Sequence, residues 1–291
     1  AKLRIANALM LVNAQATVAP EYEETVRKYY NAELFRGANL EVVNSWVKNK
    51  TEGKIEKILE KLDPQASHVI LNAIYFNAPW AQAFARNATR DRDFHLTAAE
   101  KVDVPTMSRT AAFAIQKGDG FSAVRIPYGI DALSMIVVRP DAVDGIDAVI
   151  KALDGEKLEA FLAALRKAPQ LNATLSLPRF KFEFKSDLIE PFKSLGLSKV
   201  FDAAQSDLSG MTGLPRDKAQ STIDQIAHRA VIDVAEEGTE AAAATAAVIT
   251  TRAMTPGVVD QFNVDRPFLF VIADDNTGAV LFAGRVSDPR S

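Results

Sequence analysis

The side chains that carry most enzymatic chemistry are scarce in this sequence, and those present are poorly spaced for it. Cys is absent, which removes thiol catalysis, thiolate metal sites and disulfide frameworks. His68, His95 and His228 are the only histidines, and they lack the close spacing of a ligand motif. Gly118-Asp119-Gly120 is a lone Gly-x-Gly that reads as a hairpin turn rather than a phosphate cradle. Asp91 and Asp93, flanking Arg92, read as a solvated charged loop. Asp187 and Glu190, beside Lys185 and Lys193, read as surface pairs on a helix face. There is no P-loop, nucleophile elbow or His-Glu-x-x-His. We expect no enzyme, no metal and no cofactor.

One segment stands out for its small side chains: Glu236-Glu237-Gly238-Thr239-Glu240-Ala241-Ala242-Ala243-Ala244-Thr245-Ala246-Ala247-Val248-Ile249-Thr250-Thr251-Arg252-Ala253. On composition it reads as an Ala-rich helix or a flexible linker. Against a helix stand the β-branched pair Val248-Ile249, the pair Thr250-Thr251 and the lack of an apolar stripe. At a period of two, Thr239, Ala241, Ala243, Thr245, Ala247 and Ile249 share one face, small or apolar throughout. Glu240 falls on the other. Such a strand could bury its clean face without burying a carboxylate, and could slide between two others. Gly238 at its base supplies the backbone freedom of a hinge.

The elements that would position this segment are readable from periodicity. Leu3 to Val12 reads as a strand, and Pro20 to Tyr30 as a helix with Pro and acids in its first turn. Asn39 to Leu62 reads as a long amphipathic helix with Leu40, Val43, Trp46 and Val47, then Ile55, Ile58, Leu59 and Leu62, on one stripe. Val69 to Phe76 reads as a strand covered on both faces. Further strands are expected at Phe113 to Gln116, Ser122 to Pro127, Ala132 to Val138, Thr174 to Phe184 and Thr222 to Val234. Helices are expected at Ile146 to Leu153, Lys157 to Ala164 and Ser186 to Leu195. The end of the chain reads as a strand, a Pro break and two strands around Asp274 to Gly278. This order suggests an α+β fold.

The 291 residues are 48% hydrophobic, enough for a sizeable core, and a net charge of −3 argues against a nucleic-acid partner. The apolar runs are too short to span a bilayer, and no targeting segment is readable.

Along nearly all of its length the sequence resembles the serpins. The segment 236–245 is similar to their proximal hinge. Asn72-Ala73-Ile74-Tyr75-Phe76, with Trp80 and Phe84, resembles the third strand of their sheet A and the breach tryptophan. Asn44-Ser45-Trp46-Val47 with Thr51-Glu52-Gly53-Lys54-Ile55 is similar to helix F. Leu177-Pro178-Arg179-Phe180, then Leu195-Gly196-Leu197 and Phe201, resemble the approach to the sixth strand and its helix. Phe262 to Phe270 and Leu281 to Val286 resemble the C-terminal strands.

The resemblance implies an α+β serpin fold: mixed β-sheets with surrounding helices and an exposed reactive-centre loop at about residues 236–258. It implies a single domain over 1–291, N-terminally incomplete because the helices that precede the first strand in the family are not in this chain. The function implied is suicide inhibition. A serine protease attacks the loop, an acyl-enzyme forms, and the cleaved loop inserts into the central sheet so that deacylation stalls. The hinge residues would be Glu236, Gly238, Thr239, Ala241, Ala243 and Thr245. By the family's usual spacing from the hinge glycine, the reactive bond falls at Arg252–Ala253, which suits a trypsin-like protease with an acidic pocket. Alternatively Arg252 is an exposed loop charge and cleavage falls at Thr251 or Met254. Asn72 and His228 match the family's shutter, a hydrogen-bonded pair beneath the opening sheet, although alone His228 reads as a satisfied core histidine. The expected partner is a trypsin-like serine protease, with no nucleic acid and no membrane, and the expected state is a monomer. An extracellular or periplasmic location is expected, and the Ala-rich, Cys-free style suggests a bacterial source. The second reading is a non-inhibitory serpin acting as chaperone or carrier, against which Thr239 and the run Ala241 to Ala244 argue.

Overall fold

The computed structural model describes residues 2–13, 16–129, 132–218, 221–239 and 260–290. The chain opens with β1 (Lys2–Leu11), α1 (Pro20–Tyr30), β2 (Ala32–Arg36), α2 (Leu40–Lys50) and β3 (His68–Pro79). Then come β4 (Arg90–His95), β5 (Lys101–Lys117), β6 (Phe121–Pro127), β7 (Leu133–Pro140), α3 (Ile146–Ala152) and α4 (Gly155–Lys167). They are followed by β8 (Gln170–Pro178), β9 (Phe180–Asp187), α5 (Ile189–Ser194), α6 (Ser209–Thr212) and β10 (Ile223–Ala235). The last strands are β11 (Gly238–Thr239), β12 (Asp260–Asn263), β13 (Phe268–Asp274) and β14 (Val280–Val286). The chain divides into two compact units. One holds Lys2–Phe76 and Glu183–Ile232, the other Asn77–Phe182 and Asp233–Ser291.

In the first unit the strand order is β2-β1-β3-β10-β9. β1 pairs with β2 in parallel, and β3 pairs directly with β10 in parallel from His68 opposite Ile223 to Tyr75 opposite Val231. The odd positions of β3 (Val69, Leu71 and Ala73) are fully buried, whereas Ile70, Asn72 and Ile74 are half-buried. The buried face packs with Ala6, Ala8, Met10, Ala227 and Val231 against Val43, Trp46 and Val47 of α2. In α1, acids in the first turn and Arg27 and Lys28 in the last complement the helix dipole.

The helix expected over Asn39 to Leu62 ends at Lys50 instead. Thr51 caps it: its hydroxyl donates to the Val47 carbonyl at 2.8 Å and accepts from the Ile55 amide at 3.0 Å, and Gly53 turns the chain at φ 80°. Ile55, Ile58 and Leu59 still enter the same core, and Asn44 takes over the backbone bonding of Ile58 and Leu59. Its Oδ1 accepts from the Ile58 and Leu59 amides at 2.9 and 3.1 Å, and its Nδ2 donates to the Leu59 carbonyl at 2.9 Å.

The second unit contains an eight-stranded sheet of order β12-β8-β5-β6-β7-β13-β14, with β4 paired to β5. β12 and β8 run parallel and the other recorded pairs antiparallel, so the sheet is mixed. Val149 of α3 and Leu162 and Leu165 of α4 cover Ala123, Ile136, Val138 and Val271. Three expectations need correction here. The strand foreseen at Phe113 to Gln116 is the end of the long β5, which serves three neighbours in turn. Asp91 and Asp93 lie in a strand rather than a loop, with Lys101 donating to Asp93 at 2.6 Å. The strand foreseen over Thr174 to Phe184 breaks after Pro178, and the Arg179 amide donates to the Pro105 carbonyl at 2.9 Å. Back in the first unit, the helix expected from Ser186 is only α5. Asp187 ends β9, and its carboxylate accepts from the Ile189 amide at 3.1 Å, while Glu190 pairs with Lys193 at 2.8 Å.

Candidate functional site

In the second unit, the last residues of β3 and β10 are separated by β11. Gly238 pairs with Pro79 and Ala235, and Thr239 with Ala78 and Val234, all antiparallel. This close approach requires glycine. Gly238 has φ 152°, and a Cβ there would lie 2.1 Å from the Ala78 carbonyl oxygen and 2.6 Å from the Pro79 Cα. Both residues of β11 are buried, so the start of the segment expected to be a hinge is a strand within a sheet.

Trp80 follows directly on β3. Its indole Nε1 donates to the Ala235 carbonyl at 2.9 Å, and its ring stacks on Tyr128 at 4.6 Å and meets Phe84 edge-on. The backbone between β10 and β11 is anchored by the Trp80 amide, which donates to the Glu237 carbonyl at 2.9 Å. The Phe84 amide likewise donates to the Glu236 carbonyl at 2.8 Å. Glu236 is buried. Its Oε1 accepts from the Thr89 hydroxyl at 2.7 Å, and Arg179 stands 3.8 Å from its Oε2. Arg86 donates to the Glu237 carboxylate. The Thr239 side chain is wholly buried, and its hydroxyl lies 2.7 Å from the Tyr128 phenol oxygen.

The first unit holds the other pair named from sequence. Asn72 and His228 are opposite one another in the parallel β3–β10 ladder, with His228 Nδ1 and Asn72 Oδ1 2.6 Å apart. Asn72 Nδ2 donates to Asn7 Oδ1 at 2.7 Å, and Asn7 Nδ2 donates to the Tyr30 carbonyl at 2.8 Å. With Asn72 Oδ1 facing the ring, Nδ1 carries the proton and donates. Burial pushes the His228 imidazole below its ordinary value.

The structure thus brings Glu236, Gly238 and Thr239 together with Trp80, and Asn72 with His228. Ala241, Ala243, Thr245, Arg252 and Ala253 lie outside the described residues. Sequence reasoning assigned no role to Tyr128, Thr89 or Asn7. Tyr128 is 111 residues from Thr239 and Asn7 is 65 from Asn72, so no local spacing links either pair. Among the described residues no group of three or more His, Asp or Glu could hold a metal ion.

β3 and β10 thus pair directly with each other over residues 68–75 and 223–231, and the start of the chain that follows β10 pairs with both of them at one end. The family model described as "Serpin (serine protease inhibitor)" matches residues 1–289. The chain is 37% identical over 284 residues to human Serpin B8, covering 93% of this chain and 73% of that protein. It is 34% identical over 285 residues to the human leukocyte elastase inhibitor, again covering 93% of this chain and 73% of that one. The solved structure of AtSerpin1 from Arabidopsis, titled as its native stressed conformation, superposes with a TM-score of 0.84 at 30% identity. That match covers 100% of this chain and 77% of the other. The chain belongs to the serpin family, and its fold is the α+β serpin fold. By its description the family is one of serine protease inhibitors, so inhibition of proteases rather than catalysis is the general activity these relationships support.

Proposed function

We propose that the chain is a suicide-type inhibitor of trypsin-like serine proteases, acting as a monomer and a single serpin domain in an extracellular or periplasmic space. The protease's serine oxygen attacks the Arg252 carbonyl, the Ala253 amine leaves, and Arg252 remains as an acyl ester on the enzyme. The chain behind the ester then inserts between β3 and β10, and the displaced protease fails to complete deacylation. One observation carries this reading: Gly238 and Thr239 pair with both strands, as the start of a strand inserted between them would. The alternating small residues that follow supply the pattern for the rest.

The test is incubation with trypsin followed by boiling and denaturing gel electrophoresis. The expected result is a band at the summed mass, absent for Arg252→Ala. Thr239→Arg should be cleaved without being trapped, since a buried position that holds a Thr has no room for a guanidinium. Failure of the parent both to form complex and to be cut at Arg252 would overturn the reading. A clean cut without complex would favour a non-inhibitory chaperone or carrier.

A further inference from the structure

The backbone pairing of β11 carries no sequence information, because any residue offers the same amide and carbonyl. What distinguishes Thr239 is its hydroxyl, which meets the Tyr128 phenol at 2.7 Å in a fully buried setting. Tyr128 is held rigidly. Its ring stacks on Trp80, its amide donates to the Leu133 carbonyl at 2.9 Å, and the next amide, Gly129, donates to the Pro79 carbonyl at 2.8 Å. The Ala81 amide donates to the Pro127 carbonyl at 3.0 Å, so the phenol is stapled to the end of β3 from both sides. Burial raises the Tyr128 pKa, which keeps the proton on the phenol and a donor available.

The neighbouring sequence gives this contact a further property. From Gly238 to Ala244 the residues are Gly, Thr, Glu and four Ala, so Thr239 bears the sole hydroxyl. A slip of one residue would bring Gly238 or Glu240 to the phenol, and a slip of two would bring Ala241 or Glu237. None offers a neutral hydroxyl, and a slip of one also reverses the face of every later side chain.

We propose that Tyr128 is a positioning residue for the hinge: its phenol recognises the Thr239 hydroxyl and fixes the register in which the segment enters between β3 and β10. The consequence for inhibition rests on the function proposed above, whereas the register itself is measurable in the intact protein without protease. Hydrogen exchange of the Gly238 and Thr239 amides is compared in the parent, Tyr128→Phe, Thr239→Val, the double variant and Thr239→Ser, with urea midpoints confirming that each folds. Loss of one buried hydroxyl–hydroxyl bond should speed exchange about tenfold in Tyr128→Phe and in Thr239→Val. The double variant should exchange no faster than either single one, and Thr239→Ser should stay close to the parent. Effects that multiply in the double variant, or unchanged exchange in Tyr128→Phe, would overturn the proposal. The trypsin assay on the same proteins separates the two readings. If the parent traps no trypsin but the exchange effects are coupled, the inhibitory reading falls and the Tyr128 assignment stands. If the parent traps trypsin and the exchange effects are uncoupled, the Tyr128 assignment alone falls.

Discussion

A buried carboxylate depends on its donors, and the two oxygens of Glu236 have unequal ones. The Thr89 hydroxyl donates at 2.7 Å, while Arg179, whose side chain is half exposed, stands 3.8 Å away. Thr89→Val would keep the shape and leave Oε1 without its donor, lowering stability by about 1–3 kcal/mol. The urea midpoint should fall accordingly, and Thr89→Ser should recover most of it. His228 makes a pH prediction. Burial lowers its pKa and that of His68 below the ordinary imidazole value, so the unfolded chain binds protons that the folded chain resists. Their contribution is fully present above about pH 6.5 and is lost progressively as the pH falls below it. His228→Gln, which can still donate toward Asn72, should flatten the fall in urea midpoint between about pH 7 and 5, leaving the part due to His68.

Among the elements, the segment that follows α2 shows how far an apolar pattern can be trusted. Ile55, Ile58 and Leu59 are as buried as helical spacing predicts, yet their backbone is not helical. The stripe reports burial, and two polar side chains, Thr51 and Asn44, supply bonds that a helix would otherwise have made. Asn44→Ala should therefore cost about 2–3 kcal/mol and raise hydrogen exchange at the Ile58 and Leu59 amides before that of α2. Glu60 ties the same segment down a second time, accepting from buried Arg229 at 3.1 Å and from Lys185 at 3.0 Å. The same distinction explains what else was legible. The hairpin at Gly118 to Gly120 and the strands β6, β7, β10, β13 and β14 follow from local pattern and turn residues. The break between β8 and β9 at Pro178 does not, because a long run of alternating residues suits one strand or two. Trp80, Gly238 and the pair Asn72 and His228 could be named from motifs. Tyr128 and Thr89 could not, since their roles exist only once distant strands have met.

For the whole molecule, the proposed function requires a second arrangement of the strands. β3 and β10 pair directly over residues 68–75 and 223–231, in the parallel mode that is slightly the less stable per residue. A strand inserted between them would replace that single ladder by two antiparallel ones. Under the proposed function, cleavage at Arg252 should therefore raise Tm well above that of the intact chain, and a scanning calorimetry trace of trypsin-treated protein checks this. An unchanged Tm would mean that cleavage is not followed by insertion. The chain also has its own optical gauge for such an event. It contains two tryptophans: Trp46, edge-on to Phe35 in one unit, and Trp80, face-on to Tyr128 beside the hinge in the other. Emission from Trp46→Phe would come from the hinge alone and that from Trp80→Phe from the α2 core alone, so the two units can be watched separately, in real time, without a dye.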